Sequence, residues 1–413
     1  MINKAESHRI TRRDLLQTTA GGVALAITSR LLAAEAETAS GPKIDRKIKA
    51  GLVGCGGRGS WIAGLFKEHG GYDFVAVGDY SQQAADQCGD ALGVGQGRRF
   101  SGLSAYKKVM DTGIEAIVLE TPPFFFPEHV EAAVKAGLHV YMAKPVAVDV
   151  PGTLKIGQVG RQSIRNKRCF LVDYQMPTDP LNVEVAKRIS EGGIGQIKMV
   201  NTVGMAGGGF SDPPLTATIE SRLRDLIWVN DIALGGDYVV NYDIHAIDAA
   251  LWILGRRPVA AMGAAAVCRP DPHGDARDSC MVVFEMSDGL VWGHDSAAGT
   301  NHRARSLQCV IQGSQASAEI NYWGKAFLRG GPMHYGGGDV ENLYEAGAKR
   351  NIATFYQNVI EGRFEHPSVN RSVDCTLSCI LAREAAARHG RLTMDDLIKE
   401  DKKLEVNLNG LKA

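Results

Sequence analysis

Ile48-Lys49-Ala50-Gly51-Leu52-Val53-Gly54-Cys55-Gly56-Gly57-Arg58-Gly59 is the stretch on which the reading of this chain turns. An apolar run with strand character leads directly into G-x-G-x-x-G, and from Ser60 onward the patterning becomes helical. Each glycine has a mechanical reason at such a strand-to-helix turn. Gly54 permits the tight reversal, Gly56 lets the backbone approach a pyrophosphate, and Gly59 lets the helix pack close to the strand. Cys55, Gly57 and Arg58 complete the loop whose N–H groups face the anion. A dinucleotide fold also needs an acid about twenty residues further on. Asp79 stands there, at the end of the next apolar run, placed to accept hydrogen bonds from the adenosine ribose hydroxyls. A carboxylate at that point repels a 2′-phosphate, which favours NAD; Arg58 is a cation able to compensate, so NADP stays open.

Outward from this turn, short β-type runs alternate with helical stretches. Strands are expected at 48–53, 73–77, 116–120 and 138–142, and helices at 60–68, 81–92, 127–136 and 151–163. That alternation predicts an α/β fold with a doubly wound parallel Rossmann sheet over residues 45–170. Beyond Phe170 the texture changes. Longer strand candidates at 196–203, 259–268, 279–286 and 307–312 are separated by Gly- and Asp-containing turns, with helices at 180–191, 244–254, 351–361 and 373–389. This predicts a second domain over 171–413 with a mostly antiparallel sheet.

The first 36 residues stand apart. Thr11-Arg12-Arg13-Asp14-Leu15-Leu16 precedes a weakly apolar run from Ala20 to Leu32 and small residues at Ala34 and Ala36, the order of a twin-arginine export signal. The expectation is a mature chain starting near Glu37, periplasmic or otherwise exported, with no membrane span once the signal is removed. Charge excludes other partners. Lysine plus arginine and aspartate plus glutamate balance at 46 each, which gives no footprint for nucleic acid or an anionic membrane. The eight cysteines contain no C-x-x-C pair, and His294, Asp295, Asn301 and His302 lack the spacing of a metal site, so no metal is expected.

Further motifs lie at the carboxyl edge expected of the parallel sheet, where ligands of doubly wound folds bind. Thr121 and Pro122 are candidates to line the dinucleotide. Phe124, Phe125 and Phe126 suit either a wall beside the nicotinamide or a packing plug, and His129 reads as an ordinary helix residue. Together with the fingerprint, Ala143-Lys144-Pro145, Tyr174-Gln175 and Asn241-x-x-x-His245 resemble the Gfo/Idh/MocA family of glucose-fructose oxidoreductase and inositol dehydrogenase, from about Lys47 to about Leu397. The resemblance implies a C-terminal α/β domain with an open sheet, a substrate lying over the nicotinamide between the domains, and a homo-oligomer, dimer or tetramer, built by sheet packing. Two positions depart from the pattern: Ala143 replaces the usual Glu, and Asn241 the usual Asp. An amide cannot take a proton, so a two-residue relay with His245 is in doubt, and Asp243 is the alternative acid.

Oxidising a secondary alcohol requires a group that accepts the hydroxyl proton. Lys144 and His245 are the candidates, with Asn241 beside them; Lys144 is expected to have its pKa pulled down, and His245 to titrate near neutrality. Lys144 and Gln175 also face the expected cofactor. Tyr174, Asp225, Trp228, Tyr242 and Asp243 are candidates for a sugar, since aromatic faces and carboxylates suit polyhydroxylated rings; core packing or a solvated face is the competing reading of each. The resulting expectation is an NAD(P)-dependent oxidoreductase acting on a sugar or polyol. Export favours a tightly held cofactor recycled within each turnover. A redox-neutral NAD-dependent glycosidase is the alternative, and a non-catalytic dinucleotide sensor the third.

Overall fold

The computed structural model describes residues 44–206, 212, 218–269, 272–298 and 306–413; the expected twin-arginine segment falls outside the described residues. The first sheet has six parallel strands: β1 (Ile48–Val53), β2 (Tyr72–Asp79), β3 (Arg99–Ser101), β4 (Ala116–Leu119), β5 (His139–Met142) and β6 (Phe170–Val172). Their order is β3-β2-β1-β4-β5-β6. Helices α1 (Gly57–His69), α2 (Gln82–Leu92), α3 (Ala105–Met110), α4 (Phe126–Lys135) and α5 (Val150–Arg165) make the crossovers. β4 and β5 are buried at every position, as strands covered on both faces must be.

After α6 (Pro180–Ser190) comes β7 (Ile197–Ala206), then four helices: α7 (Ile219–Arg222), α8 (Ile232–Gly235), α9 (Tyr238–Asn241) and α10 (Ile244–Leu254). β8 (Ala260–Ala266), β9 (Ser279–Glu285), β10 (Val291–Ala298), β11 (Ser306–Gly313), β12 (Ala316–Asn321), β13 (Gly324–Gly330) and β14 (Tyr335–Val340) follow. The chain then forms α11 (Leu343–Glu361), α12 (Pro367–Arg388), β15 (Leu392–Thr393) and α13 (Met394–Glu400). The second sheet runs β14-β13-β12-β11-β7-β10-β9-β8-β15. Its neighbours are antiparallel except β7 and β10, which pair parallel. Burial alternates here: along β9, Cys280, Val282 and Phe284 point inward while Met281 and Val283 face solvent. The inner face packs on α10 and α12.

The expected strands and helices are present with shifted ends, and the second sheet is mostly antiparallel as expected, with the one parallel pair β7–β10. α11 starts at Leu343 instead of 351, and α12 at Pro367 instead of 373, where proline fits the first turn and the His366 ring accepts the Ser368 N–H. α11 does not cover the second sheet. Its Ala348, Ile352, Phe355 and Tyr356 join Ile62, Phe66 and Tyr72 in the core on the α1 face of the first sheet, and Tyr72 Oη donates to the Ile352 carbonyl at 2.8 Å. The chain beyond residue 171 therefore supplies one layer of the Rossmann sandwich. Among the described residues no helix is long and apolar enough to cross a membrane.

Candidate active site

The fingerprint loop has the shape its glycines predict. Gly54 adopts φ +95°, and a Cβ there would lie 2.6 Å from the Glu120 carbonyl carbon. At Gly59 a Cβ would meet the Gly54 carbonyl oxygen at 1.7 Å, so helix and loop can approach only without side chains. Gly56 and Gly57 look into open space at the start of the 13-residue helix α1, whose first N–H groups have no intrahelical partner. Cys55 turns its thiol inward to the Gly78 carbonyl, 3.4 Å away, and contributes main chain: its N–H donates to Asp79 Oδ2 at 2.7 Å. Asp79 Oδ1 accepts the Ser81 N–H at 2.8 Å. Two such bonds orient the carboxylate and leave lone pairs for ribose hydroxyls. Open glycines at a helix start and an oriented acid one strand away fit a dinucleotide.

Arg58 does not serve the ribose. Its side chain crosses to the other side of β1, where Nη2 donates to Asp173 Oδ2 at 2.6 Å and Nε stands 3.0 Å from Glu120 Oε2. Nη1 donates to Tyr344 Oη at 2.7 Å, and the guanidinium lies 5.5 Å from the Trp61 ring centre. It is thus committed away from Asp79 and cannot compensate a 2′-phosphate, which removes the argument for NADP. Asp173 is fully engaged, accepting also from Gln175 Nε2 at 2.7 Å and Asn351 Nδ2 at 2.8 Å. Glu120 is buried beside it; burial pushes its carboxyl up to about 7, with Arg58 pulling the other way.

Lys144 follows β5 at the same edge. Its Nζ donates to the Asn241 carbonyl at 2.5 Å, joining the first sheet to the end of α9. Burial pushes the ammonium pKa down to about 7; Arg58 lowers it further, and Asp173, Glu120 and Asp243 oppose. Asn241 therefore contributes its backbone oxygen to the lysine. His245, in the first turn of α10, is buried with Nδ1 unpartnered, its ring edge-on to Tyr174 and Tyr322. The expectation that it titrates near neutrality is corrected. Burial first, then the charges of Lys144 and Arg58, hold its pKa well below 6.5, so it is a neutral hydrogen-bonding group.

The other predicted residues divide. Asp243 is buried behind Lys144, its Oδ2 3.3 Å from His294 Nε2. His294 Nδ1 lies 3.0 Å from Thr202 Oγ1, which accepts Trp292 Nε1–H at 2.8 Å. Thr202 and Asp243 thus hold the His294 ring from its two nitrogens. Gln175 spends its amide on Asp173 and on Tyr322 Oη, 3.2 Å away, orienting the acid. Tyr174 is buried against Arg371 and His245 as part of the core. Tyr242 Oη donates to the Met205 carbonyl at 3.3 Å. Trp228 packs with Val229 and Tyr238, and Asp225 sits exposed in a turn at φ +50°. Thr121 and Pro122 lead out of β4, with Thr121 Oγ1 3.4 Å from Nδ1 of the buried His129. His129, stacked on Phe125 and tilted against Tyr106, thus helps to hold that loop; Phe126 is buried, and Phe124 packs edge-on to Phe125.

Sequence reasoning passed over Glu120, Asp173 and Thr202, and weighed His294 only as a metal ligand. The first two had a signal, since each ends a parallel strand at the ligand edge. The last two needed the register of β7 with β10, which pairs Thr202 with His294.

Comparison with known proteins agrees with this geometry. Residues 48–163 match the model of an oxidoreductase family with an NAD-binding Rossmann fold, and residues 183–319 that of the GFO/IDH/MocA C-terminal domain; together they span more than half of the chain. An inositol 2-dehydrogenase of Rhizobium meliloti (strain 1021) is 27% identical over 244 residues, 59% of this chain, which spans 66% of that protein's length. Two solved structures share the fold. GenD2 from gentamicin A biosynthesis, in complex with NAD, superposes with a TM-score of 0.69 at 16% identity, covering 86% of this chain and 98% of the other. Levoglucosan dehydrogenase, in complex with NADH and levoglucosan, gives 0.69 at 17% identity over 84% of this chain and 100% of the other. The chain belongs to the Gfo/Idh/MocA family of oxidoreductases and carries its NAD-binding Rossmann domain.

Proposed function

We propose that this protein oxidises a secondary hydroxyl of a sugar or polyol, with Lys144 as the base. The observation that carries the reading is the buried lysine amine at the ligand edge, fixed on the Asn241 carbonyl and half-neutral near pH 7. NAD, when bound along the fingerprint and Asp79, supplies the hydride acceptor. Lys144 Nζ takes the hydroxyl proton, and the carboxylates of Asp173, Glu120 and Asp243 stabilise the ammonium so formed. His245, neutral and with Nδ1 unpartnered, offers a hydrogen bond to a second hydroxyl. Arg58, held between Glu120 and Asp173, offsets the repulsion between those two acids and favours their ionised forms.

The twin-arginine order at Thr11–Leu16 supports export. Outside the cytoplasm a released NADH would not be replaced, so the cofactor is retained and recycled, either by a second sugar or by returning hydride within a glycoside-cleaving cycle. The chain also associates with itself. The outer face of the second sheet exposes Met262, Met281, Val283 and Val291, an apolar surface suited to a second copy. The test is to incubate cofactor-loaded protein with free sugars and glycosides, adding no NAD. Bound NADH that accumulates with a keto-sugar supports simple oxidation; many turnovers of aglycone release without lasting reduction would replace it by the glycosidase. No reaction with any polyol or glycoside would sink both.

A further inference from the structure

The carboxyl edge of the first sheet carries a segment that the chemistry above does not use. Beyond α13 the chain continues without regular structure, anchored at two points. Leu404 N–H donates to Asp149 Oδ2 at 2.9 Å, at the start of α5 just after β5. At the far anchor, Leu103 N–H donates to the Lys412 carbonyl at 2.9 Å, and Lys412 Nζ donates to Ser101 Oγ, the last residue of β3, at 2.5 Å. Gly102 is shaped for this approach: at φ +99°, a Cβ would lie 2.3 Å from the Ala413 backbone oxygen.

The anchors lie four strand steps apart in the sheet, roughly 19 Å, and the residues between 404 and 412 reach only about 26–29 Å when fully extended. The segment is therefore held largely extended between its two anchors. It ends beside the ribose acceptor. Tyr80, the residue after Asp79, accepts the Lys412 N–H on its hydroxyl at 3.3 Å and donates that hydroxyl to Glu220 Oε1 on α7, also at 3.3 Å. Arg224, just past α7, is close enough to act on the Asp79 carboxyl. Three segments remote in sequence therefore meet at one phenol, at the adenosine end of the cleft.

We propose that residues 404–412, joined through Tyr80 to Glu220, close over the adenosine of the bound dinucleotide and slow its release. This rests on the reading that the cofactor is retained between turnovers. Tyr80 and Lys412 are positioning residues remote from Lys144, so they govern how long the cofactor stays and leave hydride transfer to the opposite end.

The experiment loads the full chain with NADH, chases with excess NAD, and follows the loss of NADH fluorescence, with urea unfolding as a control for folding. Three variants are compared: Tyr80→Phe, Tyr80→Phe with Lys412→Ala, and deletion of 404–413. Release from the double variant should be at least about tenfold faster, well within what three lost hydrogen bonds of ordinary strength allow, and faster still from the deletion. Unchanged release from a folded deletion variant overturns the proposal, as does unchanged release from the double variant if the deletion fails to fold. Rapid release from the unaltered protein would instead overturn the retained-cofactor reading, while the ratio of variant to unaltered rates still decides the role of the segment.

Discussion

Replacing Glu120 by Gln should stabilise the dinucleotide-free protein at alkaline pH and leave it unchanged at acid pH. The Glu120 side chain is wholly buried, and its carboxyl is raised from 4.5 to about 7. Burial is the larger cause, and the fully satisfied Asp173 adds to it, while Arg58 opposes. Between pH 4.5 and 7 the folded chain holds this proton and the unfolded chain does not, so the group's contribution to stability falls as pH rises through that window. Well above pH 7 the buried carboxylate costs the folded state up to about 3 kcal/mol. An amide keeps the shape and removes the charge, so Glu120→Gln recovers most of that amount at pH 8.5 and almost none at pH 4.5. Urea unfolding of both proteins across this range, compared as differences in free energy, reads the effect. A difference independent of pH, or one that shrinks as pH rises, would refute the picture of a carboxyl made reluctant to ionise by burial beside Asp173.

Three other outcomes follow from the same geometry. The kcat/KM profile should rise through pH about 7, because Lys144 accepts a proton only when neutral; in Glu120→Gln that limb moves to lower pH, since Glu120 holds the lysine pKa up. A profile flat from pH 6 to 8 would contradict it. Gly59→Ala should abolish NAD binding in titration calorimetry, or the fold itself, because the new Cβ would sit 1.7 Å from the Gly54 carbonyl oxygen. Met281→Glu places a charge in the middle of the exposed apolar face, and sedimentation should show a smaller assembly than the unaltered protein; an unchanged mass would move the interface elsewhere.

The first sheet was legible because its signals are local. A strand, a glycine turn and an acid at fixed distance are imposed by the phosphate and ribose they serve, and Gly54, Gly59 and Asp79 occupy the conformations their types suggested. Parts of the second sheet were harder. β14 runs through Gly336, Gly337 and Gly338, and β10 interrupts its apolar residues with His294 and Asp295, so neither shows clean alternation. At the site, Lys144 was visible from its place before a proline at a strand end, whereas its setting was not. That Arg58 turns from the phosphate side to two buried acids, that Asn241 serves through its carbonyl, and that His245 is held neutral all depend on packing between segments distant in sequence. A fingerprint reports what the backbone must do. It does not report where a long side chain finds its counterion.

On the proposed mechanism, Lys144 performs proton transfer and is not needed to hold the dinucleotide. Lys144→Met, which keeps the buried stem and deletes the amine, should bind NAD as the unaltered protein does in titration calorimetry. Mixed with an accepted sugar in a single turnover, it should then fail to build up the absorbance of bound NADH. Reduction at an undiminished rate in Lys144→Met would contradict the account and pass the role of base to another group at the sheet edge.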